Sequence, residues 1–286
     1  MKKVRKAVIP VAGLGSRFLP ATKAVPKEML PIVDKPTLQY IIEEAVNSGI
    51  EEILLITSPY KKCIEDHFDR SYELESRLIK SGKETKAKEL ENISKMAKIY
   101  YIRQGEPLGS GHAINLAKTF VGDEPFAVLY GDDLMYSWNI PVLKQLIEVY
   151  EATDSSVIGC MNVDKELVSR YGILKLNEDA SIKTIVEKPS IEEAPSTLAG
   201  LGRYIVKPEI FKYLEKLSTG AGGEYQFTDA MMHMMEDYKY MPCEFNGIYY
   251  DTGSKEGYLK ANIEFALRNE ELKDKVKNII DEVKSK

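Results

Sequence analysis

The chain has 286 residues, 44% of them hydrophobic and 29% charged, with a formal net charge of −5. This balance suits a globular protein with a large core, argues against disorder, and excludes nucleic acid or an anionic membrane as the principal partner. The cysteines (Cys63, Cys160, Cys243) and histidines (His67, His112, His233) are scattered, which excludes a disulfide framework or a cysteine–histidine zinc site and points to a reduced, cytoplasmic setting.

The basic start, residues 1–6, runs into an apolar stretch that holds Pro10 and meets Arg17 with no small-residue cleavage site. It is read as a buried strand, Lys6–Ala12, and not as a signal peptide. No stretch is long enough to span a bilayer. Residues Pro36–Ser48 place Leu38, Ile41, Ile42, Ala45 and Val46 on one helical face, with Gly49 as the stop. Strands follow at Glu52–Thr57, Lys98–Ile102, Phe126–Tyr130 and Ser156–Val163, with an amphipathic helix at Pro141–Ala152. The charged stretch Lys61–Lys95 has helical spacing and reads as a solvated insertion. After Tyr171 the pattern turns hairpin-like, with Ile173–Leu176 and Ile182–Glu187 flanking Asn177-Glu178-Asp179. Gly202–Val206 reads as a strand, and Pro208–Leu217 and Phe227–Asp237 as helices. Leu272–Val283 carries one apolar stripe, which suits either a tail on its own subunit or a homo-oligomer (dimer or tetramer). Short apolar runs alternating with helices predict an α/β fold with a mixed, mainly parallel central sheet flanked by helices, hairpin elaborations and a C-terminal helix.

The first strand opens into Gly13-Leu14-Gly15-Ser16-Arg17. Glycines after a buried strand expose backbone N–H groups to phosphate oxygens, although such a pair is often only a tight turn. A dinucleotide fingerprint needs a third glycine where Phe18 stands and an acidic residue where Thr57-Ser58-Pro59 ends the second strand; the Walker spacing is absent. Arg17, Lys23, Lys27 and Lys35 recur through a stretch stiffened by Pro20, Pro26 and Pro31, and a stiff basic loop suits a triphosphate.

Gly-Leu-Gly-Ser-Arg-Phe-Leu-Pro followed by Pro-Lys-Glu-Met-Leu-Pro resembles the signature of the sugar-1-phosphate nucleotidyltransferases, in particular the bacterial UTP–glucose-1-phosphate uridylyltransferases. The resemblance runs through nearly the whole chain; Ser16 stands where threonine is usual and keeps the hydroxyl. It implies a Rossmann-like single domain over 1–286, with 1–135 mainly nucleotide-binding, 136–253 mainly sugar-phosphate-binding and 254–286 C-terminal helices. It further implies that Arg17 and Lys27 are catalytic, and that Ala12, Gly13, Gly15 and Glu28 serve the nucleotide.

Gln104 and Gly109 lie in a glycine-rich segment after the third strand. A glutamine amide both donates and accepts, so it suits the imide edge of uracil, while the same segment suits a helix start; the resemblance favours base binding. His112 is read as structural. Tyr130-Gly131-Asp132-Asp133 closes the fourth strand, where ligands of open α/β sheets bind. The resemblance makes Asp132 a nucleotide-side residue and a magnesium ligand, with Asp251 of Tyr250-Asp251-Thr252-Gly253 as the second carboxylate and Asp133 as the alternative to it; Asp251 serves equally as a cap for the helix from Lys255. By the same resemblance Gly172, Glu187, Lys188, Gly202 and Tyr204 bind the sugar phosphate. The run Gly222–Ala230 also matches, with Glu224 and Asp229 read as structural and Thr228 or Asp229 as a cap.

The implied reaction joins UTP and glucose 1-phosphate into UDP-glucose and pyrophosphate, with Mg2+ and no protein nucleophile. A relative that uses TTP, CTP or another sugar phosphate is the alternative, and a non-catalytic nucleotide-sugar binder is a weaker one. Residues 64–75 and 18–23 resemble the uridylyltransferases and favour UTP.

Overall fold

Every side chain of Ala7, Val8 and Ile9 is fully buried, so the strand Lys6–Pro10 has a packed layer on each face. That is the burial of a central parallel strand. A computed structural model describes residues 2–220 and 223–285, and Gly222 of the matched run lies outside them. Strand Lys6–Pro10 pairs in parallel with Glu52–Thr57 on one side and Phe126–Leu129 on the other, and Glu52–Thr57 pairs in parallel with Lys98–Arg103. These four parallel strands lie within one or two residues of the expected ones. Val11 still donates to the Ile56 carbonyl at 2.8 Å beyond the first strand's end.

The sheet changes character at Leu198–Val206. This strand runs antiparallel to Phe126–Leu129, to Ser156–Asn162 and to Gly172–Leu176, which in turn forms the predicted hairpin with Ile182–Glu187. The mixed sheet is therefore parallel through the first half of the chain and largely antiparallel through the second. Leu198–Val206 begins four residues before the expected Gly202, because Gly200 and Gly202 interrupt the alternation that marks a strand. A further strand, Tyr240–Glu244, pairs among the described residues with Ser156–Asn162 alone and carries Pro242, a residue tolerated at a sheet edge and poorly legible as strand.

One hydrophobic cluster fills the side that holds helices Thr37–Asn47 and Val142–Thr153, and a second fills the side that holds Ser110–Asn115 and Phe227–Met235. The charged insertion is three helices, Lys62–Phe68, Tyr72–Lys80 and Glu84–Lys95. It is anchored rather than merely solvated, since Ile64, Phe68 and Ala87 are buried. The helix Phe227–Met235 has neither expected cap. Instead the Ser110 hydroxyl accepts from its Phe227 N–H at 3.1 Å. Predicted helix Pro208–Leu217 shrinks to Ile210–Leu214.

Candidate active site

A cleft of about 1030 Å³ opens beyond the carboxyl ends of Lys6–Pro10 and Phe126–Leu129, and Arg17, Lys27, Asp132, Glu187, Lys188 and Asp251 all line it. Gly172, Gly202 and Tyr204 line it too. Side chains from both halves of the chain thus converge on one volume large enough for a nucleotide. Ala12, Gly13, Gly15, Gln104 and Gly109 stand outside this lining, on the loops that lead into it.

The basic loop is folded into three short 3-10 turns, Ser16–Phe18, Ala21–Lys23 and Lys27–Met29. Gly15 has φ 67°, and its carbonyl accepts from the Thr22 hydroxyl at 2.7 Å, which ties the loop back on itself. A β-carbon at Gly15 would only touch Thr22 and Lys27 at 3.4 Å, so the left-handed backbone is what calls for glycine. Gly13 is exposed with open space around it. Arg17 is exposed at the cleft, its guanidinium 3.5 Å from the Gly253 carbonyl. Lys27 forms an ion pair with Asp132. Burial works against the Lys27 charge, but Asp132 and Glu28 outweigh it and raise the ammonium pKa above its ordinary value.

Glu28 departs from the expected nucleotide contact. It is 1% exposed, and its two oxygens accept from Lys61 at 3.0 and 2.8 Å. It stands behind Gly131, whose missing β-carbon would come within 3.2 Å of Glu28 Cγ. Burial pushes the Glu28 carboxyl up and the Lys61 ammonium down, while the two-point contact between them opposes both shifts. Nothing in the sequence singles out Lys61, which opens the charged insertion, where lysines are common.

Asp132 and Asp251 flank Gly253. A β-carbon at Gly253 would stand 2.5 Å from Asp132 Oδ2 and 3.1 Å from Asp251 Oδ1, so glycine leaves room for the two carboxylates to face one another. The Thr252 N–H and hydroxyl donate to the Asp132 carbonyl at 3.0 and 2.6 Å and join the two loops. Asp251 is not the helix cap. Ser254 caps the helix Lys255–Arg268, accepting from Gly257 N–H at 3.1 Å. The two oxygen-bearing groups fit a hard cation such as Mg2+, which takes one or two carboxylates together with substrate phosphates.

Asp133 lines the same cleft and has partners of its own. Tyr249 donates to it at 2.8 Å, and its carboxylate occupies the space where a Gly202 β-carbon would collide with Oδ2. Burial first, then the charge of Asp132, pushes its pKa up to about 7. Gly202 is thus required by Asp133, a close approach that no sequence pattern announces. Its neighbour Arg203 is fully buried and points to Glu44, donating from Nη2 at 2.7 Å, and to the Asp133 carbonyl at 2.8 Å. Arg203 therefore supports the floor and does not line the side formed by Gly172 and Glu187.

On that side, burial raises the Glu187 carboxyl while Lys188 opposes the shift. Lys188 has φ 47°, which sets it off the end of the hairpin, and its N–H donates to the Tyr171 carbonyl at 3.0 Å. Its ammonium lies 3.8 Å from Glu187. A β-carbon at Gly172 would meet Glu187 Oε2 at 3.1 Å. Tyr204 packs edge-on against Tyr130 and Phe227, with ring centroids 5.7 and 5.5 Å apart. Glu224, read as structural, also lines the cleft, as do Ser110 and Lys255.

Residues 6–267 match the family described as Nucleotidyl transferase. A UTP–glucose-1-phosphate uridylyltransferase of Bacillus subtilis (strain 168) is 53% identical over 280 residues, 96% of each chain. One of Staphylococcus haemolyticus (strain JCSC1435) is 50% identical over 287 residues, 99% of each. Among solved structures, a UTP-bound UGPase from Acinetobacter baumannii superposes with a TM-score of 0.90 at 38% identity, covering 97% of this chain and 98% of its own. A UDP-glucose pyrophosphorylase complexed with UDP-glucose superposes at 0.85 and 40%, covering 93% and 100%.

Proposed function

The chain belongs to the nucleotidyl transferase family, and from that premise we propose that it transfers the uridylyl group of UTP to glucose 1-phosphate, giving UDP-glucose and pyrophosphate. The observation that carries this reading is the meeting of Arg17, Lys27 and Lys188 with Asp132 and Asp251 around one cleft. These cations and carboxylates, with no activated serine or cysteine among the described residues of the lining, suit a reaction between two anions and no covalent enzyme intermediate.

In this reaction a phosphate oxygen of glucose 1-phosphate forms a bond to the α-phosphorus of UTP. The bond from that phosphorus to the α–β bridging oxygen breaks, and pyrophosphate leaves with the electron pair. The nucleophile is already anionic, so no general base is needed. The barrier lies in bringing like charges together, and preorganised cations lower it without reorganising during the reaction. Arg17 and Lys27 neutralise the triphosphate, Lys188 holds the sugar phosphate, and Glu187 accepts from sugar hydroxyls. Gly172, Gly202 and Tyr204 shape that side. On the nucleotide side Ala12, Gly13 and Gly15 present backbone groups, and Gln104 and Gly109 read the base. Mg2+, held by Asp132 and Asp251, supplies charge neutralisation at the phosphates when bound. Glu28 acts from behind, through Lys61 and Lys27.

The decisive assay follows pyrophosphate release from UTP and glucose 1-phosphate with and without Mg2+. Metal-dependent release with UTP, together with formation of UDP-glucose, is expected. Equal or better turnover with TTP or CTP would transfer the assignment to another nucleotide. Binding of UDP-glucose with no turnover would make the protein a binder.

The same reading carries a cytoplasmic, homo-oligomeric enzyme, a dimer or tetramer. No helix among the described residues is long and apolar enough to cross a membrane. Helix Lys273–Lys284 buries none of its residues and leaves Ile279 and Val283 exposed, which suits a subunit contact. Sedimentation velocity tests this: a monomer at micromolar concentration would contradict it.

A further inference from the structure

Gln104 is held at both of its amide hydrogens. It follows strand Lys98–Arg103, is 6% exposed, and its backbone N–H donates to the Thr57 carbonyl at 2.8 Å. A carbonyl oxygen accepts and never donates, so the side-chain nitrogen must face the Gly109 carbonyl, 3.2 Å away. The same nitrogen lies 2.9 Å from His112 Nδ1. An amide NH2 has hydrogens to give and no acceptor to offer, so Nδ1 is the acceptor and the His112 proton resides on Nε2. Both hydrogens are then committed. Among the described residues none donates to Gln104 Oε1, which remains the only hydrogen-bonding atom of that amide left for a ligand.

The segment that bears these partners is itself clamped. Tyr225 N–H donates to the Leu108 carbonyl at 2.8 Å, and Gly111 N–H donates to the Tyr225 carbonyl at 2.8 Å. Gly109 sits at φ 104°, and a β-carbon there would meet the Tyr225 carbonyl oxygen at 2.6 Å. Gly109 is thus demanded by the approach of Tyr225, and its carbonyl is placed where it can hold Gln104.

An unrestrained glutamine turns its amide over and serves a donor or an acceptor equally well. A glutamine restricted to Oε1 serves only a donor. Uracil and thymine carry N–H at ring position 3; cytosine carries a lone pair there, which Oε1 would repel. Cytosine could donate only through its exocyclic amine, from a displaced position. We propose that His112 is a positioning residue that determines base specificity: by accepting from Gln104 it locks the amide as a pure acceptor and selects a pyrimidine with an imide N–H over an aminopyrimidine. This rests on the reading that Gln104 meets the base.

The test compares kcat/KM for UTP and CTP, each with glucose 1-phosphate, in four proteins. His112→Leu removes the acceptor, and the UTP/CTP ratio is expected to fall about tenfold, the worth of one hydrogen bond, through a higher KM for UTP with kcat little changed. His112→Asn, whose Oδ1 stands near the place of Nδ1, is expected to restore the ratio. Gln104→Leu separates the two premises. If it leaves KM for UTP unchanged, Gln104 does not read the base. If it raises that KM while His112→Leu keeps the native ratio, the role of His112 is overturned and base reading stands. Nitrogen-15 NMR of the unmutated protein answers without any variant that must fold: a His112 Nδ1 signal of a bare, accepting nitrogen is expected, and a protonated Nδ1 would overturn the proposal.

Discussion

Lys27 and Lys188 face one cleft from opposite halves of the sheet, and they are held very differently. The Lys27 side chain is 20% exposed and paired with Asp132, and behind it lies the Glu28–Lys61 pair with side chains 2% and 7% exposed. The Lys188 side chain is 61% exposed, and among the described residues its ion pair is with Glu187, at 3.8 Å. The parallel half therefore assembles its charges in advance, inside a packed layer. The antiparallel half leaves its cation in water for a substrate to organise. Charge fixed in advance lowers a barrier more than charge that must be gathered, so the wall with Lys27 is where chemistry should be concentrated and the wall with Lys188 is where binding should be.

The sharpest way to break this contrast is to unpair the buried ions. Glu28→Ala strands the Lys61 charge, and a loss of about 3–5 kcal/mol of stability is expected, read by urea unfolding. Replacing both, Glu28→Leu with Lys61→Met, should recover most of that loss while kcat stays low, because Lys27 loses its support. A double variant with native kcat would show that the pair does not position Lys27. Next in size, Lys27→Ala should lower kcat about 100–1000-fold, roughly 3–4 kcal/mol of barrier, with little change in KM for glucose 1-phosphate. Near-normal turnover would remove Lys27 from the reaction. Lys188→Ala should act in the other column: KM for glucose 1-phosphate is expected to rise about tenfold, since an exposed charge is screened by water, with kcat changing less. If both lysines changed kcat alike, the division between walls would fail.

The smallest effect concerns Asp133. Its folded pKa, pushed up to about 7 by burial, lies above the ordinary aspartate value of 3.8. A raised folded pKa contributes stability that is complete below the unfolded pKa and is lost as pH rises through the folded one. Asp133→Asn keeps an acceptor for Tyr249 and removes the charge. With a chelator present, its melting temperature should exceed that of the native protein by about 2–4 °C at pH 8, an advantage that shrinks as pH falls from 7 towards 4. An advantage independent of pH would show that Asp133 is ionised alike in folded and unfolded chains.

Much of the first half was legible. Strand Glu52–Thr57 and helix Thr37–Asn47 announce themselves by apolar runs and by a 3.6-residue period, and the Gly13–Pro31 loop by its glycines, prolines and cations. Less was legible in the second half. Tyr240–Glu244 hides behind Pro242, Leu198–Val206 behind its glycines, and the charged insertion concealed Lys61 among other lysines. Glu28 illustrates the limit: its place in the motif marks it as important, but whether it touches a ligand or a buried lysine depends on what lies 33 positions away.

Local chemistry is written along the chain, so residue order alone determined the alternation of strands and helices, the stiff basic loop at the end of the first strand, and the carboxylates after the fourth. Partner choice belongs to tertiary structure. Arg203 meets Glu44 across 159 positions and Lys27 meets Asp132 across 105, and the space left by Gly202 and Gly253 is filled by carboxylates from other loops. Periodicity reports which face of an element is buried. It carries no record of which distant side chain is packed against that face, and only the folded chain decides whether a charge is offered to a substrate or spent on a neighbour.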